Sequence, residues 1–287
     1  MKNALVYLFI VIICLGALNG AGREPLEQAV PSKAMGRDIA NLVILPEEYD
    51  GQRAYPVIYL LHGWEMKYRE WLRVQRELPE LATKYGVILV CPDAGNSWYW
   101  DSPLHPHMRY ETYVAQELAD FIRTHYKTID DRRARAITGL SMGGHGALWL
   151  AIRHQEVYGA CGSMSGAVDI RRIPTLRSTP PSCYNITNVL GSYEEHPDRW
   201  AQHSVMTQLH RIQPGLAIIL DCGTGDMFHE MNAELHRTLL EMRIPHDYIS
   251  RPGAHNGRYW RNALHYQLLF FAEHFKRMHD NQPLTPA

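Results

Sequence analysis

The strongest constraint on this 287-residue chain is the pentapeptide Gly139-Leu140-Ser141-Met142-Gly143, which has the spacing Gly-x-Ser-x-Gly. An apolar, strand-like segment (Arg135–Thr138) precedes it, and a segment with helical patterning (Gly143–His154) follows it. A serine at such a strand-to-helix turn is held on a sharp elbow, and glycines flank it because a Cβ there would collide with neighbouring backbone. The helix directs free amides and the positive end of its dipole at the serine. The pattern therefore predicts an α/β fold in which Ser141 is a nucleophile.

The rest of the chain alternates strand-like and helix-like segments. The predicted strands are Asp38–Leu45, Tyr55–Leu61, Gly86–Val90, Arg135–Thr138, Tyr158–Ser163, Leu216–Leu220 and His246–Ser250. The predicted helices are Tyr68–Tyr85, Glu111–Tyr126, Gly143–His154, Glu230–Arg243 and Tyr259–Met278. This alternation is typical of a mostly parallel sheet with helices on both faces. No linker rich in Gly or Ser divides the chain, so residues 22–287 are predicted to form one domain.

The first residues have the pattern of an export signal. Lys2 supplies a positive charge, and Ala4–Leu18 is an apolar run of 15 residues followed by small residues. We predict that residues 1–21 are a cleaved signal peptide and that the mature protein is secreted or periplasmic; the alternative is a retained N-terminal anchor. A membrane-spanning helix needs about 20 apolar residues. No later segment approaches that length, so no stable membrane span is expected.

Charge and cysteine content exclude several other classes of protein. Lys and Arg total 29, Asp and Glu total 30, and no basic stripe is present, which argues against nucleic acid as a partner. The five Cys residues show neither zinc-ligand spacing nor a Cys-x-x-Cys pair. His105 and His107 are close in sequence but have no third ligand nearby. We therefore predict no metal and no cofactor, and no feature of the sequence indicates an oligomeric state.

A serine nucleophile needs a base, and the base needs an acid that orients it. Two acids follow the predicted strand Leu216–Leu220, in the segment Asp221-Cys222-Gly223-Thr224-Gly225-Asp226. Asp221 is still at the end of the strand, whereas Asp226 lies in the loop after two glycines. In α/β-hydrolases the acid lies on a loop after a strand, so Asp226 is the predicted acid.

The predicted base is His255. It lies in the Gly-rich segment Arg251–Gly257, directly after the predicted strand His246–Ser250. The histidines farther along the chain fall on the last predicted helix, where packing or surface roles are expected. Because the order nucleophile, acid, base matches that of α/β-hydrolases, we predict a triad of Ser141, Asp226 and His255.

Two backbone amides are predicted to bind the negatively charged oxygen that develops during acyl transfer. One is the amide of Met142, at the start of the helix after Ser141. The other is the amide of Trp64, because Gly63 turns the chain sharply after the predicted strand Tyr55–Leu61. The indole of Trp64 could also serve as a hydrophobic wall, and the two roles are compatible because one uses backbone and the other the side chain.

Taken together, these motifs resemble the esterase-D-like family of α/β-hydrolases, which includes S-formylglutathione hydrolases, tributyrin and feruloyl esterases, and mycolyltransferases. The resemblance covers about Val30 to Phe271. Its carriers are Tyr59–Gly63 with Trp71, Ile137–Gly144, Gly162-Ser163-Met164-Ser165-Gly166, Asp221–Asp226 and Pro252-Gly253-Ala254-His255. It implies an α/β-hydrolase fold, the same triad and the same oxyanion amides.

The chain departs from these relatives at two positions beside the expected site. After His62-Gly63 they commonly continue with small residues, whereas this chain has Trp64-Glu65-Met66. Two residues beyond the histidine they often carry Trp, whereas this chain has Gly257. Acyl and alcohol specificity therefore cannot be taken over from any one member.

Two further features bear on the substrate. The aromatic rings of Trp98, Tyr99 and Trp64 are predicted substrate-binding groups, since such surfaces suit a sugar ring or a phenolic acyl group; packing in the core is the alternative. The Pro-rich segment Ile170–Ser204 is predicted to be a lid-like insertion, because long connections in compact domains are usually functional. A decorative surface loop is the alternative reading of that segment.

The sequence thus predicts an exported serine carboxylic-ester hydrolase that acts through an acyl-enzyme. The expected substrate is a small ester or an acylated carbohydrate bearing acetyl or feruloyl groups. Two alternatives remain open: an acyltransferase that passes the acyl group to a sugar, and a catalytically inactive carbohydrate-binding module on the same fold.

Overall fold

The computed structural model describes residues 23–176, 179–180 and 182–279. The predicted signal peptide, residues 1–21, lies outside the described residues. Within them, no helix is long and apolar enough to cross a membrane.

One eight-stranded sheet organises the described chain. Its strands are β1 (Leu26–Ser32), β2 (Arg37–Ile44), β3 (Val57–Leu61), β4 (Ile88–Pro92), β5 (Arg135–Gly139), β6 (Ala160–Met164), β7 (Ala217–Gly223) and β8 (Asp247–Arg251). They lie in the order β1-β2-β4-β3-β5-β6-β7-β8. β1 pairs antiparallel with β2, and β2 pairs antiparallel with β4; all other pairs are parallel. The prediction of a mostly parallel sheet is confirmed.

Helices connect the strands and cover both faces. They are α1 (Glu70–Val74), α2 (Leu78–Tyr85), α3 (Tyr110–Thr112), α4 (Ala119–His125), α5 (Met142–Arg153), α6 (Ile186–Leu190), α7 (Pro197–Gln202), α8 (His229–Glu241) and α9 (Gly257–His279). A π turn, Tyr113–Leu118, joins α3 to α4. Short 3₁₀ turns lie at Arg132–Ala134, Ile170–Thr175, Val205–Thr207 and Leu209–Arg211.

The core has two layers because side chains alternate across the sheet. On β3, Val57, Tyr59 and Leu61 belong to one buried cluster, whereas Ile58 and Leu60 belong to the other. The first cluster is covered by α5 and α8, and the second by α2 and α9. A strand that is buried on both faces reads as a continuous apolar run, which is why the central strands were predictable.

Two elements differ from the prediction. The first strand, β1, was not predicted, because it is an edge strand with mostly exposed side chains and carries Pro31, which an edge strand tolerates. The helix predicted over Tyr68–Tyr85 is two helices, α1 and α2. Pro79 lies in the first turn of α2, and its ring and missing N–H favour a new helix start there.

The segment Ile170–Ser204, here called the β6–β7 excursion, contains α6 and α7, and its residues 177, 178 and 181 lie outside the described residues. Several of its apolar side chains, among them Ile173, Val189 and Trp200, are fully buried in the same cluster as α5 and α8. Much of the excursion is therefore part of the core.

Candidate active site

Ser141 lies at the turn between β5 and α5 in a strained backbone conformation, with φ 55° and ψ −117°. Its amide donates a hydrogen bond to the carbonyl of Met164 at the end of β6 (2.9 Å). A Cβ at Gly143 would collide with the carbonyl oxygens of Leu61 and His62 at the end of β3. The glycine at this position therefore lets the elbow pass beneath the β3 loop, as the spacing of the motif required.

His255 and Asp226 reach Ser141 from loops that follow the last two strands. The Nε2 atom of His255 is 2.9 Å from Oγ of Ser141, and its Nδ1 atom is 2.9 Å from Oδ2 of Asp226. The Asp226 side chain is fully buried, and its Oδ1 accepts a hydrogen bond from the amide of Phe228 (2.9 Å). Because Nδ1–H points at a carboxylate, Nε2 is left as the acceptor for the serine hydroxyl. This arrangement can remove a proton from Ser141 and stabilise the resulting imidazolium.

Two aromatic rings that the sequence analysis did not select pack edge-on against the imidazole of His255. The ring centroid of Phe228 is 5.0 Å away and that of Trp260 is 4.9 Å away. Trp260 lies in the first turns of α9, five residues after His255. A tryptophan thus packs against the imidazole, although Gly257 stands where relatives often carry Trp. The contact between Trp260 and His255 could not be predicted from sequence spacing alone.

Asp221, the second acidic candidate, has other partners. Its carboxylate is fully buried, forms an ion pair with Arg251 (2.8 Å) and accepts a short hydrogen bond from the hydroxyl of Tyr259. Burial raises the pKa of this carboxyl, an effect that Tyr259 and Arg251 partly offset. Asp221 therefore ties the end of β7 to the end of β8, and no hydrogen bond joins it to His255 within the described residues.

The amides predicted to bind the oxyanion lie close to Ser141. A Cβ built on Gly63 would be 3.5 Å from the Cβ of Ser141, so the next residue, Trp64, lies beside the nucleophile. Within the part of the chain that the structure describes, the backbone amides of Trp64 and Met142 have no hydrogen-bond acceptor. Two free donors beside a nucleophile can bind a developing negative charge.

Several hydrogen bonds hold the loop that carries Trp64. Nδ1 of His62 donates to the carbonyl of Gly63 (2.8 Å), and Nε2 accepts from the amide of Ala94 (3.0 Å). Burial lowers the pKa of His62, which keeps the ring neutral, as one donated and one accepted bond require. The amide of Glu65 donates to the side chain of Asn96 (2.8 Å). Contacts with Ala94 and Asn96 thus fix the position of the loop that carries Trp64.

The structure places the predicted substrate-binding aromatics differently from the expectation. Trp98 is 2% exposed, stacks on Trp100 and donates from Nε1 to the carbonyl of Tyr184 (2.9 Å). Tyr99 is fully buried, and its hydroxyl donates to the carbonyl of His62 (3.0 Å). Neither ring offers a free face to a substrate, so the expectation of an open aromatic surface at these two positions is corrected. The ring of Trp64 is half-buried and packs edge-on against Tyr184.

His145 lies one turn beyond Ser141 and is fully buried. Its Nδ1 donates to the carbonyl of Ala167 (2.9 Å), and its ring packs against Trp98 and Trp100. Burial lowers its pKa to about 4. The ring is therefore a neutral part of the core. No group of three or more His, Cys, Asp or Glu side chains in the described ranges could hold a metal ion.

The described chain has a mostly parallel sheet with a strained serine elbow at its carboxyl edge. An acid loop and then a histidine loop follow along the chain. This is the architecture of an α/β-hydrolase. The chain belongs to the esterase family whose description is "Putative esterase", since the family model matches residues 32–271.

Three known proteins illustrate this kinship. The acetyl esterase of Caldicellulosiruptor saccharolyticus is 24% identical over 253 residues, which cover 81% of this chain and 92% of that protein. The diacylglycerol acyltransferase/mycolyltransferase Ag85B of Mycolicibacterium smegmatis is 24% identical over 283 residues, covering 87% and 85%. The solved structure of a ferulic acid esterase superposes with a TM-score of 0.73 and 26% identity, covering 88% of this chain and 98% of that one. The chain is a carboxylic ester hydrolase, and its family acts on small esters.

Proposed function

We propose that this protein is an exported serine esterase in which Ser141, His255 and Asp226 act as nucleophile, base and orienting acid. The observation that carries the proposal is the continuous run of hydrogen bonds from Ser141 through His255 to Asp226. The predicted signal at residues 1–21 supports a secreted or periplasmic location.

The reaction follows from these positions. Oγ of Ser141 bonds to the ester carbonyl carbon while Nε2 of His255 takes the hydroxyl proton. The carbonyl oxygen becomes an oxyanion and accepts hydrogen bonds from the amides of Trp64 and Met142. The bond from carbon to the alcohol oxygen then breaks, and His255 gives its proton to the departing alcohol. Water attacks the acyl-enzyme by the same route and releases the carboxylic acid and free Ser141.

We further propose that the substrate is an acylated carbohydrate bearing acetyl or feruloyl groups. The proteins it resembles include an acetyl esterase and a ferulic acid esterase, which differ in the acyl group that their names specify. Trp64, which follows Gly63 in the loop beside Ser141, is half-buried and supplies an aromatic surface suited to a sugar or a phenolic group.

A second candidate, transfer of the acyl group to a sugar, is favoured by the similarity to a mycolyltransferase. Both chemistries share the acyl-enzyme and differ only in the acceptor. The ratio of released acid to acylated sugar, measured with a sugar acceptor at increasing concentration, separates them.

The test of the proposal is labelling of Ser141 by a fluorophosphonate, followed by assays on acetyl, butyryl and feruloyl esters. Labelling of the wild-type protein and its loss in Ser141→Ala are expected. A folded protein that is not labelled and cleaves none of these esters would be a binding module on this fold, and the proposal would be rejected.

A further inference from the structure

Three partly exposed side chains contact one another in series and link the loops after β3 and β7, and we call them the cleft rim: Trp64, Tyr184 and Met227. The ring of Tyr184 packs edge-on against that of Trp64, with centroids 5.1 Å apart. Its hydroxyl lies 4.0 Å from Sδ of Met227, whose side chain is 39% exposed. Tyr184 therefore bridges the loop after β3 and the loop after β7.

These two loops carry different parts of the proposed active site. Trp64 supplies the predicted oxyanion amide, and the preceding Gly63 lies against the nucleophile. Met227 stands between Asp226 and Phe228, and the ring of Phe228 packs on His255. A side chain that touches both loops lies across the space between the oxyanion amides and the histidine.

Tyr184 is held there by a strained backbone. Cys183, Tyr184 and Asn185 are three successive residues with positive φ, at 46°, 57° and 72°. Such conformations are unfavourable for residues other than Gly and persist only where surrounding contacts hold them. Here the contacts are a hydrogen bond from Trp98 Nε1 to the Tyr184 carbonyl (2.9 Å) and one from Asn185 Nδ2 to the Asn96 carbonyl (2.9 Å). Backbone strain of this kind clusters at ligand clamps.

Two cavities in the described part of the chain lie away from Ser141. One of about 450 Å³ is lined by Arg37, His105 and neighbouring residues, and one of about 810 Å³ lies against α9, beside β7, β8 and the turn that follows α8. Neither is lined by Ser141, Trp64 or His255. Substrate groups next to Ser141 are therefore expected to contact the cleft rim rather than these two cavities.

We propose that Tyr184 is a specificity-determining residue that restricts this enzyme to short acyl groups of about acetyl size. The inference rests on the proposed serine esterase mechanism, because the Trp64 amide must hold the acyl carbonyl. The ring of Tyr184 packs on that of Trp64, whose amide holds the acyl carbonyl, and its hydroxyl lies near Met227. We therefore place the acyl portion of the ester against the ring and the alcohol towards His255. The bulky feruloyl group is then disfavoured among the substrates named above.

The experiment varies the acyl group at a constant leaving group. We would measure kcat/KM for p-nitrophenyl acetate, butyrate and octanoate with the wild-type protein, Tyr184→Ala and Tyr193→Ala. Tyr193 lies in the same excursion but packs on Trp200, away from the rim, and serves as the matched control. We expect wild type and Tyr193→Ala to prefer acetate over octanoate by about 10-fold or more, and Tyr184→Ala to lose most of that preference through a lower KM for octanoate.

Tyr184→Phe tests whether the ring itself is responsible. It keeps the contact with Trp64 and removes only the hydroxyl near Met227, so we expect it to retain the preference for acetate. A preference in Tyr184→Ala equal to that of wild type, or a wild-type preference for octanoate, would overturn the inference. The same variants assayed on phenyl and p-nitrophenyl acetate vary the alcohol at constant acetyl, and a change confined to that series would also overturn the inference. Fluorophosphonate labelling of each variant reports the esterase mechanism separately, since a labelled variant with unchanged selectivity refutes only the role of Tyr184.

Discussion

Ser141 combines a strained backbone with a hydrogen-bonded side chain. Its positive φ aims the side chain out of the β5–α5 turn, where Nε2 of His255 meets it at 2.9 Å. A non-glycine residue in such a conformation costs about 1–3 kcal/mol and is retained where the surrounding structure holds it. The backbone hydrogen bond from Ser141 to Met164 and the close packing of Gly143 under β3 provide that support.

The first prediction concerns this hydroxyl. Ser141→Ala should lower kcat by about 10⁴-fold or more, because no acyl-enzyme can form, while substrate binding persists. The control is Ser163→Ala, in the similar Gly162–Gly166 segment, whose buried hydroxyl has no hydrogen-bond partner in the described chain. Ser163→Ala should keep near-wild-type kcat. More than a tenth of wild-type activity in Ser141→Ala would contradict the mechanism.

Substitution of Asp226 should lower activity, whereas substitution of Asp221 should lower stability. Asp226→Asn should lower kcat by about 10³–10⁴-fold with little effect on stability, because the imidazole loses its orienting charge. Asp221→Asn leaves Arg251 without its buried partner and should lower the free energy of unfolding by about 3–5 kcal/mol. Steady-state kinetics and urea unfolding of both variants check this. If folded Asp221→Asn were the less active of the two, the assignment of the acid would be wrong.

At the scale of elements, the loops after β7 and β8 are joined by backbone hydrogen bonds. The amide of Thr224 donates to the carbonyl of Arg251 (2.9 Å), and that of Gly225 donates to Gly253 (2.8 Å). Together with the Asp221–Arg251 ion pair, these bonds set the distance between the acid loop and the histidine loop. These contacts between the two loops therefore help to hold His255 and Asp226 within hydrogen-bond distance of each other.

The next prediction concerns the contribution of the segment Ser97–Trp100 to stability. Trp98 is buried between Trp100 and His145, so Trp98→Ala should lower the free energy of unfolding by about 3–5 kcal/mol through the cavity it creates. Because the ring does not face the cleft, kcat/KM should change by the same factor for a small activated ester and for an acylated oligosaccharide. Thermal unfolding and parallel kinetics test this. A loss confined to the oligosaccharide would restore a direct role for Trp98.

These elements show what could be predicted from the sequence. The β5–α5 elbow and the loops of Asp226 and His255 follow from local patterns: strand-like segments that are followed by turns containing glycine. The pattern does not show which way an aromatic side chain points, and Trp98 and Tyr99 both have positive φ, which turns the chain there in a manner that no periodicity indicated. Tyr184, Phe228 and Trp260 meet the site only through contacts between distant segments. Their positions required the structure.

At the scale of the whole molecule, stability should depend on pH through buried neutral histidines. The pKa of His145 is lowered to about 4 by burial, whereas an unfolded chain would bind the proton near pH 6.5. The folded state is therefore stabilised relative to the unfolded state above pH 6.5, and this contribution is lost as pH falls towards 4. For one such group the loss is about 3 kcal/mol.

Urea unfolding of wild type and His145→Gln between pH 7 and pH 4 measures this dependence. Both proteins should lose stability on acidification, because burial also lowers the pKa of His62 and His274. The slope should be shallower in His145→Gln, whatever the stability of that variant at pH 7. Parallel slopes would show that His145 takes up no proton on unfolding in this range.

The sheet order also has a consequence for timing. The proposed nucleophile lies after β5, whereas its proposed base lies between β8 and α9, and β8 is an edge strand that, among the described strands, pairs with β7 alone. During synthesis Ser141 is therefore complete more than a hundred residues before His255 exists. Pairing of segments so far apart in sequence is slow compared with local folding. Until β8 docks, the proposed triad lacks its base, so we expect a nascent or half-folded chain to be inactive on esters.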